Sequence, residues 1–151
     1  MKARVFLLVA ALFAALSITG CDKEKDEPIV DNTSNIVGEW HCVVEAYDAE
    51  VYVAFYAEGT FDEYQRLGEG RYRHYAGTWS VEKDILSGIY ADGTEWGSQY
   101  QVSFADGTMT LTAINDSQEA TTYTKEAIPA KVRDSAIEPF ASRSEDDDRW
   151  F

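Results

Sequence analysis

Apolar and polar residues alternate with a period of two over residues 35–128. Runs rich in Val, Tyr, Phe, Thr and Trp are separated by short turns that contain Gly, which is typical of antiparallel strands joined by hairpins. The pattern predicts eight strands, near residues 37–47, 50–56, 60–66, 71–81, 85–90, 98–104, 108–114 and 120–126. Eight short strands in hairpin order either close into a barrel or leave aggregation-prone edges. We therefore expect an all-β fold, an eight-stranded antiparallel up-and-down β-barrel.

One turn sequence recurs: an aromatic residue, Ala, an acid, Gly and Thr. It stands at residues 56–60, 90–94 and 104–108. Gly supplies the positive φ that tight hairpins need, and the acid before it caps the turn. None of these turns has the spaced acids of a calcium loop, so we interpret all three as hairpin turns.

The alternation also predicts which side chains fill the barrel. If Trp40 and Trp79 point inward, most interior positions carry bulky groups, and an eight-stranded barrel is just wide enough to be filled by them or to hold one small ligand. The predicted interior residues are Trp40, Cys42, Val44, Val53, Phe55, Phe61, Tyr75, Trp79, Val81, Tyr100, Val102, Phe104, Met109 and Leu111. We expect the half of the barrel near Trp40 and Trp79 to be solid.

The connections between strands distinguish the two ends of the barrel. Short turns near 57–59, 82–84 and 105–107 alternate along the chain with longer, more polar connections at 47–50, 67–70, 92–97 and 115–119. In a regular meander, alternate connections lie at the same end. Any mouth is therefore expected at the end with the longer connections.

Several polar and aromatic residues are predicted near that mouth. Glu63 and Gln65 in the third strand and Arg71 and Arg73 in the fourth share the inward phase. Arg presents a planar fork suited to carboxylate or phosphate, so these residues are candidates for orienting an anionic headgroup. The alternative is a Glu63–Arg73 cross-strand pair that plugs the barrel or faces solvent.

Two aromatic residues complete the candidate site. Trp96 lies in the connection before the sixth strand, and Tyr100 begins that strand. Trp96 is interpreted as a lid or a sugar-stacking platform at the mouth, or as a loop residue folded onto the rim. Tyr100 is expected to meet the apolar end of a ligand.

Two short motifs resemble a known family. Gly38-Glu39-Trp40 resembles the Gly-x-Trp signature of the lipocalin family, and Gly77-Thr78-Trp79 is similar to the fourth strand of small bacterial lipocalin-like lipoproteins. The resemblance covers residues 35–128 and implies a small barrel that binds a small hydrophobic or amphipathic molecule. The alternative is a module that recognises a protein or glycan partner through its loop rim. A cavity of about 300 Å³ or more favours the carrier, and a filled barrel favours the module.

The N-terminal residues indicate an export signal. Lys2 and Arg4 precede an apolar run at residues 5–18, which is too short to span a bilayer and is typical of a cleaved signal peptide. Ile18-Thr19-Gly20-Cys21 resembles the lipobox of bacterial lipoproteins, which implies cleavage after residues 1–20 and acylation of Cys21, for example by palmitate. An ordinary signal with an incidental Cys is the alternative.

Residues 21–34 are mostly charged and predict a flexible, lipidated tether. Lys25-Asp26-Glu27 resembles the export signal of surface-exposed lipoproteins, although any soluble tether has a similar composition. In other lineages, Asp22 directly after the Cys implies retention in the inner membrane. The expected location is the bacterial cell envelope, with a lipid anchor in the outer membrane, on its surface or periplasmic face.

Charge and composition narrow the partners. The 151 residues include 27 acids and 13 bases, for a net charge of -14, and such a surface repels nucleic-acid phosphates and anionic lipid headgroups. We expect no nucleic-acid partner and membrane contact only through the lipid anchor. With 45% apolar residues the chain can fold around a core, and its length predicts one domain, expected to be a monomer.

Catalytic motifs are scarce. His41 and His74, the only histidines of the sequence, are interpreted as surface strand residues without zinc-site spacing, and the sequence has no Gly-x-Ser-x-Gly elbow. Cys42 alternates with Trp40 and Val44 and is interpreted as a core residue without a disulfide partner. We expect neither metal nor cofactor, and binding rather than catalysis, with a small hydrolase as a further alternative.

The residues after the barrel, 129–151, are predicted to form a short helix and a disordered acidic tail. Pro129 suits a first helical turn, Pro139 ends the helix, and an acidic run precedes Trp150 and Phe151. Docking of Trp150 and Phe151 against the base of the barrel is the alternative.

Overall fold

The structure is a computed structural model that describes residues 32–139 and 149–151. The strands are β1 (Gly38–Val44), β2 (Ala49–Phe55), β3 (Thr60–Leu67), β4 (Arg73–Glu82), β5 (Ile85–Tyr90), β6 (Tyr100–Ala105), β7 (Thr108–Ala113) and β8 (Ala120–Lys125). Two short helices, α1 (Thr33–Ile36) and α2 (Ala130–Ser135), flank them, and a 3₁₀ turn spans Glu45–Tyr47. The predicted signal peptide at 1–20, Cys21 and most of the tether lie outside the described residues.

The eight strands form one closed antiparallel barrel in sequence order. Closure occurs where β1 pairs with β8, with Trp40 opposite Lys125. This confirms the predicted fold and the predicted strands to within a few residues. The β5–β6 junction is as short as this β1–β8 closure, with two paired positions: Ile85 pairs with Gln101 and Leu86 with Tyr100.

The barrel interior follows the predicted phase. Trp40, Phe55 and Trp79 are almost completely buried, while Tyr100 and Phe104 are partly exposed but pack against the core. Both tryptophans are held near the short-turn end: the Trp40 indole N–H donates to the Ile36 carbonyl at 2.8 Å and that of Trp79 to the Thr60 carbonyl at 2.9 Å. These bonds satisfy the polar ends of two large rings inside an apolar core.

The start of the folded domain is slightly earlier than predicted. The tether was expected to run to residue 34, but α1 begins at Thr33 and buries Ile36 completely. The Ile36 side chain belongs to the same cluster as Trp40, so this helical turn closes the short-turn end.

A second apolar cluster lies on the outside of the barrel, which the sequence pattern did not predict. Tyr52, Ala54 and Tyr64 point outward from β2 and β3, yet they are buried under Ile128 and Val132. The segment from Ile128 through α2 crosses these strands and then pairs in parallel with β4, where Ile137 meets Arg73. The segment therefore leaves the short-turn end and reaches the mouth.

The predicted disordered tail is wrong for its last residues. Residues 149–151 are inserted into the barrel: Phe151 is 6% exposed and belongs to the interior cluster. The alternative prediction placed Trp150 and Phe151 against the base of the barrel. Trp150 instead lines a cavity at the opposite end, where the longer connections lie. The physical reason is that burial of two aromatic rings lowers the free energy by more than the loss of chain entropy in the tail raises it.

Candidate functional site

A cavity of about 410 Å³ opens at the end of the barrel with the longer connections. We call it the mouth cavity. Its apolar floor comes from Tyr100, Leu111 and Ala113, which point inward from β6 and β7, and polar side chains such as Asn115 and Glu119 surround the opening. An apolar floor with a few polar groups at the edge is typical of sites for small molecules.

The rim of the mouth cavity is tied together by Tyr47. Its hydroxyl donates a 2.5 Å hydrogen bond to Glu119 Oε1, which raises the pKa of Tyr47. The Tyr47 ring also meets the edge of Trp150, with ring centroids 6.4 Å apart. This bridge joins the β1–β2 connection to the β7–β8 connection across the opening.

A smaller side cavity of about 220 Å³ adjoins the mouth cavity. Gln65 and Leu67 line both cavities, while Arg71 and Arg73 line the smaller one. Both Arg side chains are exposed, and Arg71 Nη2 donates to the Ser135 carbonyl at 3.3 Å. The structure thus brings Gln65, Arg71 and Arg73 together at one side of the mouth.

Glu63 occupies a different place from the arginines. The strand register pairs Arg73 with Gln65 and places Glu63 opposite Tyr75. The alternative of a Glu63–Arg73 cross-strand pair is therefore wrong, because the two residues are not opposite each other. Glu63 lies one interior layer deeper, fully buried, with Oε2 3.3 Å from the Tyr90 hydroxyl.

Burial determines the charge of Glu63. It raises the pKa of the carboxyl group to about 8, and the hydrogen bonds that the Tyr90 hydroxyl and the Trp150 backbone N–H can donate to its ionised form only partly offset this rise. Glu63 is therefore mainly a neutral carboxylic acid at pH 7. Its Oε1 has no hydrogen-bond partner among the described residues.

Residues 149–151 pack beside Glu63, since Glu63 and Phe151 both contact the Tyr90 hydroxyl. The Phe151 ring stacks on Trp96 with ring centroids 4.3 Å apart. The Trp150 indole N–H donates to the Tyr123 hydroxyl at 2.7 Å. At the rim, Arg149 Nη2 lies 2.6 Å from Asp92 Oδ2, and the hydrogen bond from Arg149 lowers the pKa of Asp92.

Trp96 is neither a lid nor a rim residue, which corrects the sequence-based interpretation. Its ring is 6% exposed and lies inside the barrel between Phe55, Phe61 and Phe151. Gly88 in β5 leaves the room for it, since a Cβ there would lie 2.3 Å from the indole. A Gly within a strand marks such a close approach, and this is the signal that could have located Trp96.

The two histidines lie on the outer face of the barrel. His41 sits between Glu50 and Glu126 at 3.1 and 3.0 Å, and His74 sits 2.8 Å from both Asp62 and Glu138. Burial acts to lower the pKa of His74, but the hydrogen bonds to Glu138 and Asp62 outweigh it and raise the pKa. His74 therefore fastens the segment after α2 to the barrel.

Other reactive groups are sequestered or scattered within residues 32–139 and 149–151. Cys42 is buried, and burial raises the pKa of its thiol to about 12, so it is a thiol at neutral pH. In this part of the chain, His, Cys, Asp and Glu side chains do not gather in groups of three or more that could hold a metal ion. Across the same residues, no helix has both the length and the apolarity to cross a membrane.

A closed antiparallel barrel of eight strands with a cavity at one end defines a class of small β-barrels whose interior is filled by side chains or holds one small ligand. Residues 36–111 match the family model of the lipocalin-like domain, which is about half of the 151-residue chain. The chain belongs to this lipocalin-like family. A comparison with curated proteins gives no match.

Proposed function

We propose that this barrel binds a small amphipathic or hydrophobic molecule in the mouth cavity. The observation that carries the proposal is the cavity itself: about 410 Å³, with an apolar floor at Leu111 and Ala113 inside a lipocalin-like barrel. The volume lies within the range of roughly 300–1,000 Å³ typical of small-molecule sites.

The side cavity supports an orientation for this ligand. Its apolar part contacts Tyr100 and Leu111, and its polar head points past Gln65 toward Arg71 or Arg73, where an Arg fork suits a carboxylate or phosphate. The ligand enters between Leu67 and the 115–119 connection. Residues 92–97 do not line the mouth cavity, because this connection turns into the barrel with Trp96.

We propose further that the protein binds and does not catalyse. Support comes from the placement of its reactive groups: Cys42 is a buried thiol, and both His41 and His74 are engaged by carboxylates on the outer face. Neither histidine lines the mouth cavity or the side cavity.

Titration with a fluorescent fatty acid tests the binding proposal. Ala113→Phe places a ring in the mouth cavity, because Ala113 is 7% exposed and faces inward opposite Tyr100. We expect saturable binding to the wild type and a loss of affinity of at least about tenfold, or 1.4 kcal/mol, in the variant. The probe's fluorescence change measures the dissociation constant.

Ala105→Phe is the matched control. Ala105 is exposed at the short-turn end of β6, so the same added ring should leave binding unchanged.

Arg73→Ala should weaken binding by roughly 1.5–3 kcal/mol, the contribution of a hydrogen bond to a charged group. Absence of saturable binding to the wild type would contradict the proposal and favour the loop-rim module for a protein or glycan partner.

We propose that the mature protein is lipid-anchored in the bacterial cell envelope, in the outer membrane. The support is the lipobox-like Ile18-Thr19-Gly20-Cys21 after a short apolar run, together with the net charge of -14, which disfavours direct adsorption to anionic lipid. Cys21→Ser should move the protein from the membrane to the soluble fraction. Equal membrane retention of the variant on fractionation would refute the anchor.

A further inference from the structure

We propose that the barrel interior below the mouth cavity is a binding site for a short aromatic peptide, with residues 149–151 as its built-in occupant. An external peptide of the same chemistry can replace this occupant. The inference goes beyond the proposed function, because the pocket of Phe151 lies deeper than the mouth cavity, which Arg149 and Trp150 line. This peptide site also recognises aromatic rings and amide groups, whereas the mouth cavity is proposed to take an apolar chain.

The site holds an aromatic ring in a defined orientation. Phe151 stacks face to face on Trp96, while Tyr100 meets it nearly perpendicular, with ring centroids 5.8 Å apart. Phe55 and Phe61 close the other sides at 6.5 and 6.4 Å. Stacked and edge-to-face pairs add to the stability that burial alone provides, so the pocket selects a planar ring.

The site also recognises the backbone of its occupant. The Phe151 N–H donates to the Tyr90 hydroxyl oxygen at 3.2 Å, and the Tyr90 hydroxyl donates to the Phe151 carbonyl at 3.3 Å. A hydroxyl has one proton, so Tyr90 cannot donate to Glu63 at the same time. A protonated Glu63 resolves this, because it donates to Tyr90 and leaves the Tyr90 proton for the peptide carbonyl.

The preceding two residues add side-chain recognition. The Arg149 guanidinium lies 4.6 Å above the Tyr90 ring and forms two hydrogen bonds with Asp92. The Trp150 indole bonds to the Tyr123 hydroxyl at 2.7 Å. A cation followed by two aromatic residues thus meets an acid, a phenol and an aromatic pocket in succession.

Two observations indicate that the occupant is replaceable. The barrel closes through β1 and β8, and residues 149–151 take part in no strand pairing of the described chain. In addition, Glu63 Oε1 is fully buried beside the occupant without a hydrogen-bond partner among the described residues. A peptide with a further N–H donor would satisfy this oxygen, which residues 149–151 leave unused.

The test is calorimetric titration of the full chain with N-acetyl-Trp-Phe-amide. In the wild type, residues 149–151 compete as an intramolecular ligand at an effective concentration on the order of millimolar. Phe151→Ala removes the main competing ring and vacates its pocket. We expect this variant to bind the peptide at least about tenfold more tightly than the wild type does, and to discriminate against N-acetyl-Leu-Leu-amide.

A second variant leaves the core untouched. Asp92→Asn removes the charge that holds Arg149 but keeps the oxygen that caps the Thr94 N–H at 2.9 Å. The probe lacks the Arg, so only the built-in occupant is weakened, and the probe should bind about two- to fivefold more tightly, the range of an exposed ion pair. Asp106→Asn, in the exposed turn at the opposite end, is the matched control and should leave binding unchanged.

The outcomes separate this site from the proposed function. If neither Phe151→Ala nor Asp92→Asn binds the peptide more tightly than the wild type does, the peptide site is refuted. Equal binding of the Leu-Leu amide to Phe151→Ala also refutes it, since the pocket would then be a plain apolar cavity. Saturable fatty-acid binding in the same preparations would leave the mouth-cavity proposal standing in either case.

Discussion

Glu63 is the residue whose setting departs most from that of an ordinary surface acid. It is completely buried in the barrel, and burial raises the pKa of its carboxyl group from 4.5 to about 8. In the unfolded chain the group loses its proton near the ordinary value. Between these two pH values the folded protein binds the additional proton, so its stability falls as pH rises.

Glu63→Gln should therefore remove a pH-dependent cost. Relative to the variant, the free energy of unfolding of the wild type should fall by about 1.4 kcal/mol per pH unit from about pH 4.5 to 8, and level off above. Urea unfolding of both proteins at several pH values measures this difference. Gln preserves the volume and can donate to the Tyr90 hydroxyl, which makes it a close neutral mimic.

His74 also makes the stability fall as pH rises, so its contribution must be distinguished from that of Glu63. Its raised pKa gives stability that is present below the unfolded value and is lost as pH rises through the folded value. Comparison of wild type and Glu63→Gln at each pH cancels the His74 contribution, which both proteins share. A difference between them that stays constant with pH would show that Glu63 titrates normally.

For single residues, the alternation of apolar and polar positions predicted which side chains point into the barrel, but not which residues they contact there. Alternation placed Glu63 and Gln65 inside the barrel, and both are buried. It could not place Glu63 opposite Tyr75, because register depends on the pairing of two strands and not on either strand alone. The raised pKa follows from burial in three dimensions, which outweighs the opposite effect of the hydrogen bond from Tyr90 on a different strand.

At the element scale, the β5–β6 connection completes the interior. Residues 91–99 bring Trp96 into the barrel, where the Trp96 backbone N–H bonds to the Gly88 carbonyl at 3.0 Å. Because β5 and β6 pair at only two positions, this connection also covers the gap between them. Its conformation depends on the absence of a side chain at Gly88.

Gly88→Ala should displace this connection. The added Cβ would lie 2.3 Å from the Trp96 ring, closer than any real contact, so either the ring or the strand must move. We expect a loss of stability of about 1–3 kcal/mol, as for other overpacked cores, together with a change in tryptophan fluorescence. Urea unfolding followed by fluorescence measures both.

Gly97→Ala provides the control within the same connection. A Cβ at Gly97 meets no heavy atom within 4 Å, so this substitution should change stability by less than about 0.5 kcal/mol. Equal effects of the two substitutions would show that backbone flexibility matters here and that the space for Trp96 does not.

Elements with a clear two-residue period were predictable, and those that depend on distant packing were not. The eight strands follow from alternation, whereas Val51 to Phe55 is continuously apolar, a pattern that indicates burial on both faces. Burial of its outer face depends on α2, a six-residue helix whose docking position no local pattern specifies. This continuous apolar run is the sequence feature from which the second apolar cluster could have been predicted.

At the scale of the whole molecule, the two ends of the barrel have different roles. Trp40, Trp79 and the Ile36 turn fill the short-turn end, which accounts for a solid base. The opposite end holds the mouth cavity, the two arginines and residues 149–151. The strand order predicted which end would be open, because the longer connections alternate with the short turns.

The position of residues 149–151 could not be predicted from periodicity. Trp150 and Phe151 follow an acidic run and belong to no repeating pattern, so nothing local specifies the interior as their site. The occurrence of two adjacent aromatic residues after an acidic run is the sequence feature that could have indicated their burial. Their insertion reduces the space inside the barrel and leaves the mouth cavity as the open part of the site.

We have proposed that this lipocalin-like barrel binds a small molecule in its mouth cavity. Native mass spectrometry of the protein, purified from cells without denaturation and in parallel with Ala113→Phe, is the decisive test. We expect a bound small molecule on the wild type that is lost from the variant. Wild-type protein without any bound molecule, or equal occupancy of the variant, would contradict this proposal.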